Sequence, residues 1–98
     1  MPELSDEDTL RIDIWLWRAR FFRTRALASD HVARRGVRIT RNGHTRKTDK
    51  PGTRITCGDV LLFKRQPDPD MIEIVELGTR RGPATEAAGL YRRIDNHT

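Results

Sequence analysis

Residues 15–25 read WLWRARFFRTR. Four of the chain's six aromatic rings and four arginines share these eleven positions. Like charges at this density repel, so either the backbone must spread them or a partner must neutralise them. The spacing around them settles the local structure. Ile12, Trp15, Leu16 and Ala19 recur at i, i+3, i+4 and i+7, which predicts one buried stripe of a helix starting near Arg11. Trp15 then points inward, Trp17 falls almost opposite, and Arg18 and Arg20 flank the stripe. Asp13 in the first turn complements the helix dipole and can pair with a nearby arginine.

A break is expected around residues 21–23. Thr24 suits an N-cap, because its hydroxyl oxygen can accept an orphan amide of the next turn. A second helix would carry Leu27, Ala28, His31 and Val32 inward and stop at Gly36, a residue that tolerates left-handed C-terminal geometry. Two short helices joined by a tight turn would hold arginines 18, 20, 23 and 25 around one corner.

After Gly36 the apolar period changes to two. Val37 and Ile39 alternate with Arg38 and Thr40, and Asn42-Gly43 marks a turn. A polar, basic segment over residues 44–50 precedes Pro51-Gly52. Ile55 and the run 60–63 read as strands around a Cys57-Gly58-Asp59 turn. Residues 66–70 read as another turn, and residues 71–77 as a further strand. Pro83 suits the first position of a last helix over about residues 83–94, with Ala84, Ala87, Ala88, Tyr91 and Ile94 on its inner face. Residues 1–9 are acidic and aperiodic and are expected to form a disordered tail, leaving one domain over residues 10–98. The fold class is α+β: a helix–turn–helix pair, a small, mostly antiparallel sheet and a C-terminal helix.

Composition narrows the function. The 98 residues carry a net charge of +5, distributed unevenly. Thirteen basic residues lie between Arg11 and Arg54 against only Asp13, Asp30 and Asp49. The remainder of the chain is net acidic. Such sorting predicts a cationic face aimed at a polyanion. A single cysteine, Cys57, excludes an internal disulfide framework, and with His31, His44 and His97 it forms no zinc spacing. No apolar run approaches a membrane span, and no signal peptide is expected, so a cytoplasmic protein away from membranes is the reading. There is no phosphate-binding glycine loop, nucleophile elbow or pair of catalytic carboxylates. The chain is expected to be neither an enzyme nor dependent on a cofactor or metal.

Several strings together resemble a known family. Arg11-x-Asp13-x-Trp15-Leu16, Ala19-Arg20-x-x-Arg23-Thr24-Arg25-x-x-Ala28, Gly36-Val37-x-Ile39 and Gly58-Asp59-Val60 resemble the S-four RNA-binding domain. The fuller string WLWRARFFRTRALA is similar to one branch, the fifteen-kilodalton heat-shock protein family of bacteria. Near the other end, RRGPATEAAGLY resembles that branch's C-terminal signature. The resemblance covers roughly residues 10–93. It implies RNA held on the helix pair and an adjoining loop, through Arg20, Arg23, Thr24, Arg25, Lys47 and Lys50, with Arg18 and Arg38 beside them. It further implies ribosomal RNA as partner, on large ribosomal subunits that still carry peptidyl-tRNA. DNA is a possible second partner, and the protein is expected to act as a monomer. Two other readings stay open: a general RNA or DNA chaperone, and an accessory module for an RNA-modifying enzyme.

The remaining aromatics divide. Phe21 and Phe22 are expected in the core, because a small domain needs its large side chains there. Trp17 stays open between packing and base stacking. His31 is expected as a partly buried packing residue. Cys57 is expected to be structural or incidental.

Overall fold

The computed structural model describes residues 8–65 and 67–94. The apolar stripe of residues 12–19 is the organising surface. Strand β1 (Leu10–Arg11) leads into helix α1 (Ile12–Arg18), and Ile12, Trp15, Leu16 and Ala19 are all buried, as their spacing predicts. The helix has no side-chain cap at its start. Its first amides instead donate to backbone carbonyls, Ile12 N–H to Thr53 at 2.8 Å and Asp13 N–H to Pro51 at 3.3 Å. Asp13 accepts a two-pronged bond from Arg11, at 3.0 and 2.9 Å.

The break comes earlier than the sequence reading places it. Helix α1 ends at Arg18, and Arg20 adopts φ of 65°. That left-handed conformation costs a non-glycine residue about 1–2 kcal/mol. It turns the chain so that Phe21 enters the core, where its ring meets Phe63 edge-on at 5.2 Å and Tyr91 at 4.7 Å.

Helix α2 (Arg25–Arg35) follows the expected boundaries. Leu27 N–H donates to Thr24 Oγ1 at 3.0 Å, and Gly36 closes the helix at φ of 78°. A side chain at Gly36 would also collide with Lys47, whose Cε lies 2.5 Å from where a Cβ would stand. Ala28 and Val32 are buried and His31 is half-buried against Phe22 and Phe63. Leu27 departs from expectation: it is 45% exposed. The buried stripe runs through Ala28 and Val32, and at about 100° per residue Leu27 falls on its flank beyond half-buried His31.

Strands β2 (Val37–Arg41), β3 (His44–Thr48), β5 (Val60–Lys64), β6 (Pro69–Ile74) and β7 (Tyr91–Arg93) form one antiparallel sheet in the order β3-β2-β5-β6-β7. A separate two-stranded ladder joins β1 to β4 (Arg54–Ile55). Val37, Ile39, Leu61, Phe63, Ile72 and Ile74 alternate inward and meet the helix stripes in one core. Residues 44–48, read from sequence as a polar segment, pair along their whole length with β2, from Val37↔Thr48 to Arg41↔His44. A strand with almost no buried side chain gives no apolar alternation to read; the Asn42-Gly43 turn, with φ of 52° and 81°, makes the hairpin.

The expected C-terminal helix over residues 83–94 is corrected. Only α3 (Ala84–Ala87) is α-helical; Ala88–Leu90 form a 3-10 turn and Tyr91–Arg93 become β7. The reason lies in the stripe itself. Ala84 and Ala88, counted as inner positions, are exposed and offer little area to bury. Extending the chain at Tyr91 places its ring on Phe21 and satisfies the edge of β6 through Ile74↔Tyr91. The strand read at residues 71–77 likewise starts at Pro69 and stops at Ile74, because the amides of Val75 and Glu76 turn to Leu90 O. Most of the expected acidic tail, residues 1–7, lies outside the described residues, as do Gln66 and residues 95–98. Asp8 and Thr9 are tied down: Thr56 Oγ1 donates to Asp8 O and Arg54 Nε to Thr9 Oγ1.

A buried charge group staples the open end of this sheet. Asp70 accepts from Arg65 at 2.7 Å and from Arg93 at 2.9 Å, and Arg65 also donates to Phe21 O at 2.8 Å while lying over the Phe21 ring. Burial alone would push the Asp70 carboxyl up, but the hydrogen bonds from the two guanidinium groups outweigh it and hold the carboxyl below the ordinary 3.8. A depressed carboxylate contributes stability that is complete above its unfolded value and is lost as pH falls through its folded value.

Two outcomes follow from this packing. Thr24→Ala should lower stability by about 1 kcal/mol in urea melts, since it removes the only side-chain cap on α2. Stability should decline as pH falls from about 4, and Asp70→Asn, though less stable at neutral pH, should show a shallower decline in the same acid melts.

Candidate nucleic-acid interface

The arginine corner divides into two populations. Arg18 donates to Gly78 O at 2.8 Å and Arg20 to Gly82 O at 2.6 Å. In the opposite direction, Arg81 Nε donates to Trp17 O at 3.1 Å with its guanidinium over the Trp17 ring. Trp15 Nε1 completes the seam by donating to Glu76 O at 2.9 Å. Arg18 and Arg20 are therefore tied to the backbone of the segment over residues 76–82. Burial, and then the charge of Arg25, push the Arg18 guanidinium below its ordinary value, and its Nε is buried without a hydrogen-bond partner. Trp17 is half-buried under Arg81, neither a core ring nor a bare platform.

Arg23 and Arg25 belong to the second population. Both are exposed at the start of α2, and neither has an ion pair among the described residues. Thr24, between them, spends its side-chain oxygen on the cap and so fixes the direction in which the helix carries both arginines.

The other end of α2 gathers a second group. Arg38 and Lys47 are directly paired across β2 and β3, so their side chains leave the same face of the sheet. Lys47 lies on a strand and not in a loop, and its stem runs over Gly36 beside Arg35. Lys50 sits two residues beyond the end of β3, where its carbonyl accepts from Thr53 N–H. Its loop is firmly seated, since Thr48 and Thr53 bond through their hydroxyls at 2.6 Å and the loop's carbonyls receive the first amides of α1. Helix α2 has 11 residues, so the Arg23–Arg25 corner and the Arg35, Arg38 and Lys47 group stand about 15 Å apart.

Counting partners separates structural from available charge. Arg11, Arg34 and Arg41 are paired with Asp13, Asp30 and Asp59. Seven of the thirteen basic residues in the block, namely Arg23, Arg25, Arg35, Arg38, Arg46, Lys47 and Lys50, make no ion pair and no side-chain hydrogen bond among the described residues. Outside the block Arg65, Arg80, Arg92 and Arg93 are all paired. Sequence reasoning does not single out Arg35 or Arg46. The signal for Arg35 is its place immediately before the helix-ending Gly36; Arg46 has none, because its strand is not legible. Phe21 is buried and Phe22 packs half-buried against His31 at 5.0 Å, so neither ring offers a stacking surface. Burial first, then Arg35 and Arg65, push the His31 imidazole below its ordinary value.

Among the described residues, no three His, Cys, Asp or Glu side chains gather as a metal site, and no helix is long and apolar enough to cross a membrane. The surface is thus one of unpaired cations on a seated backbone, an arrangement that can bind phosphates.

No family model matches the chain. Individual proteins do. It is 30% identical over 96 residues to a heat shock protein 15 homolog of Aeromonas salmonicida, covering 97% of this chain and 69% of that protein. It is 34% identical over 82 residues to heat shock protein 15 of Escherichia coli strain K12, covering 84% of this chain but 58% of the relative. The chain thus spans little more than half the length of the Escherichia coli protein. Heat shock protein 15 of Vibrio cholerae, whose structure is described as trimeric, superimposes with a TM-score of 0.69 at 31% identity, over 89% of this chain and 83% of that one. The fold agrees with that of the solved relative, and the chain belongs to the heat shock protein 15 family, an S-four-domain family.

Proposed function

We propose that this protein is a non-enzymatic RNA-binding protein that recognises structured ribosomal RNA. The observation that carries this reading is the set of six unpaired cations, Arg23, Arg25, Arg35, Arg38, Lys47 and Lys50, laid along α2 and the Arg38–Lys47 face of the β2–β3 hairpin, while most arginines elsewhere are consumed by carboxylates or carbonyls. Unpaired guanidinium groups grip phosphates bidentately and are less strongly hydrated than ammonium groups. Phosphates lie densely along a duplex, so charge held in place by helix and sheet neutralises several at once. Arg23 and Arg25 contact the RNA from one end of α2, with Arg38, Lys47 and Lys50 at the other. Thr24 aims the first pair. Arg18 and Arg20 hold the segment behind them, and Arg18 adds positive potential beside Arg25. Helix and strand edges at this spacing read the shape and phosphates of a stem, not its base sequence.

The target within the cell is a large ribosomal subunit that retains peptidyl-tRNA, where the protein assists rescue under stress. Membership in a heat-shock family supports the stress setting. A subunit offers many similar stems, so selectivity requires two contact sets engaged together on one rigid body. The two ends of α2 supply such sets.

Two measurements check this reading. Affinity for a ribosomal RNA stem should fall with salt at a log–log slope of about −3 to −5, and Arg23→Ala/Arg25→Ala should weaken binding to every sequence and flatten the slope by about two units. Salt-independent binding, or an unaffected double variant, removes the assignment of the corner. Sedimentation at matched ionic strength should recover more protein with large subunits carrying peptidyl-tRNA than with empty subunits or whole ribosomes. Equal recovery would leave RNA binding in place and remove the rescue role.

A further inference from the structure

The tip of the β2–β3 hairpin holds a cleft that the stem-binding surface does not use. Its volume is about 420 Å³, and Ile39, Arg41, His44 and Arg46 line it. Ile39 is paired with Arg46 and Arg41 with His44, so these four side chains leave the same face of the hairpin. Buried Ile39 forms the floor, and the Asn42-Gly43 turn closes one end. The walls are the aliphatic stems of two arginines and an imidazole.

The two arginines are in different states. Arg41 is locked: it donates to Asp59 at 2.8 and 2.7 Å and to Arg54 O at 3.4 Å, and Asp59 is almost fully buried. Its guanidinium is therefore a fixed plane whose charge is already matched. Arg46 is exposed and has no ion pair among the described residues. No carboxylate is among the residues that line the cleft. A site of this kind has carbon walls, flat π-bearing groups and one free cation.

That combination selects its occupant. A paired base in a stem is stacked on both faces and cannot enter. An unpaired base can be splayed out and stacked on imidazole or guanidinium planes, with its phosphate held by a cation. The volume lies within the range of small-ligand sites, enough for one nucleotide. We propose that this cleft binds a single unpaired nucleotide of the RNA, with the base against His44 and the Arg41 plane and the phosphate on Arg46. The inference rests on the RNA-binding reading above and sharpens it.

Geometry fixes what the RNA must look like. Asp59 stands at the start of β5 and anchors Arg41; Arg65 follows its end and holds Phe21 O beside the Arg23–Arg25 corner. Six residue steps along the strand separate them by about 20 Å. The preferred substrate is therefore a stem, held along α2, that carries an unpaired nucleotide about 20 Å from the corner contacts: a bulge or a junction, not a continuous duplex.

The test uses the full chain and two RNA hairpins that differ only by one unpaired nucleotide, 2-aminopurine, in the stem. The wild-type protein should bind the bulged RNA about tenfold more tightly, with a change in 2-aminopurine fluorescence. His44→Ala and Arg46→Ala, both exposed positions checked for unchanged thermal melts, should lose that preference while keeping their affinity for the plain stem to within about threefold. Arg23→Ala should weaken both RNAs alike and keep the preference. Equal binding of the two RNAs by the wild-type protein, or a preference retained in His44→Ala and Arg46→Ala, overturns the cleft and leaves RNA binding intact. Failure to bind either RNA overturns both readings. An equal preference for a bulged DNA hairpin overturns the restriction to RNA.

Discussion

A buried indole cannot leave its N–H without an acceptor, and in this chain the acceptor for Trp15 is Glu76 O, 61 residues away. That single demand joins the first helix to the segment beyond the sheet, and three arginines reinforce the same seam. Arg18 and Arg20 reach forward to Gly78 and Gly82, and Arg81 reaches back to Trp17. Hydrogen bonds from charged donors contribute about 1.5–3 kcal/mol each when shielded from water and less when part-buried, as these three are. They also compensate for the left-handed turn at Arg20, which would otherwise be a strained position on an open loop. The two most distinctive strings of the sequence, WLWRARFFRTR and RRGPATEAAGLY, are thus the two sides of one joint.

The seam also explains how so many arginines coexist in eleven residues. Two are absorbed by carbonyl oxygens, which carry partial negative charge without cancelling the cation. The remaining two, Arg23 and Arg25, are pushed outward at the start of a helix whose cap leaves no freedom in their direction. Positive potential is retained while the cap fixes the backbone at the start of the helix.

The far side of the sheet solves a different problem. Asp70 lies where β5, β6 and β7 meet, and two guanidinium groups offset its burial. Through Arg65 the same group reaches Phe21 O, so the edge strand β7 and the turn after α1 are held by one carboxylate. Asp59 has the matching role at the opposite end of β5, fixing Arg41 and accepting from Thr56 N–H at 2.9 Å. Two buried aspartates, one just before β5 and one on β6 beside its far end, tie the hairpin and the turn after α1 to the same central strand.

Local pattern was enough for the helix pair, the Thr24 cap, the stop at Gly36 and the strands rich in valine and isoleucine. Each depends on a periodicity or a side chain within four residues of the backbone it serves. The sorting of charge along the chain was equally plain, and with it the polyanion expectation. Strand β3 was not legible, because an edge strand exposed on nearly every side chain has no apolar alternation and is specified by the turn before it and the partner beside it. The last helix was misread for the converse reason. Its alanine spacing was helical, but the area to be gained lay in a sheet edge and an aromatic contact that only the folded chain brings within reach of Tyr91. The division of the arginines into structural and available groups belongs to the same class. Nothing in the residues near Arg18 distinguishes it from Arg23, since the carbonyls of Gly78 and Gly82 that separate their roles arrive sixty residues later in the chain. Sequence determined where the charge is; tertiary contacts, which can pair groups at any separation, decided which of it is free.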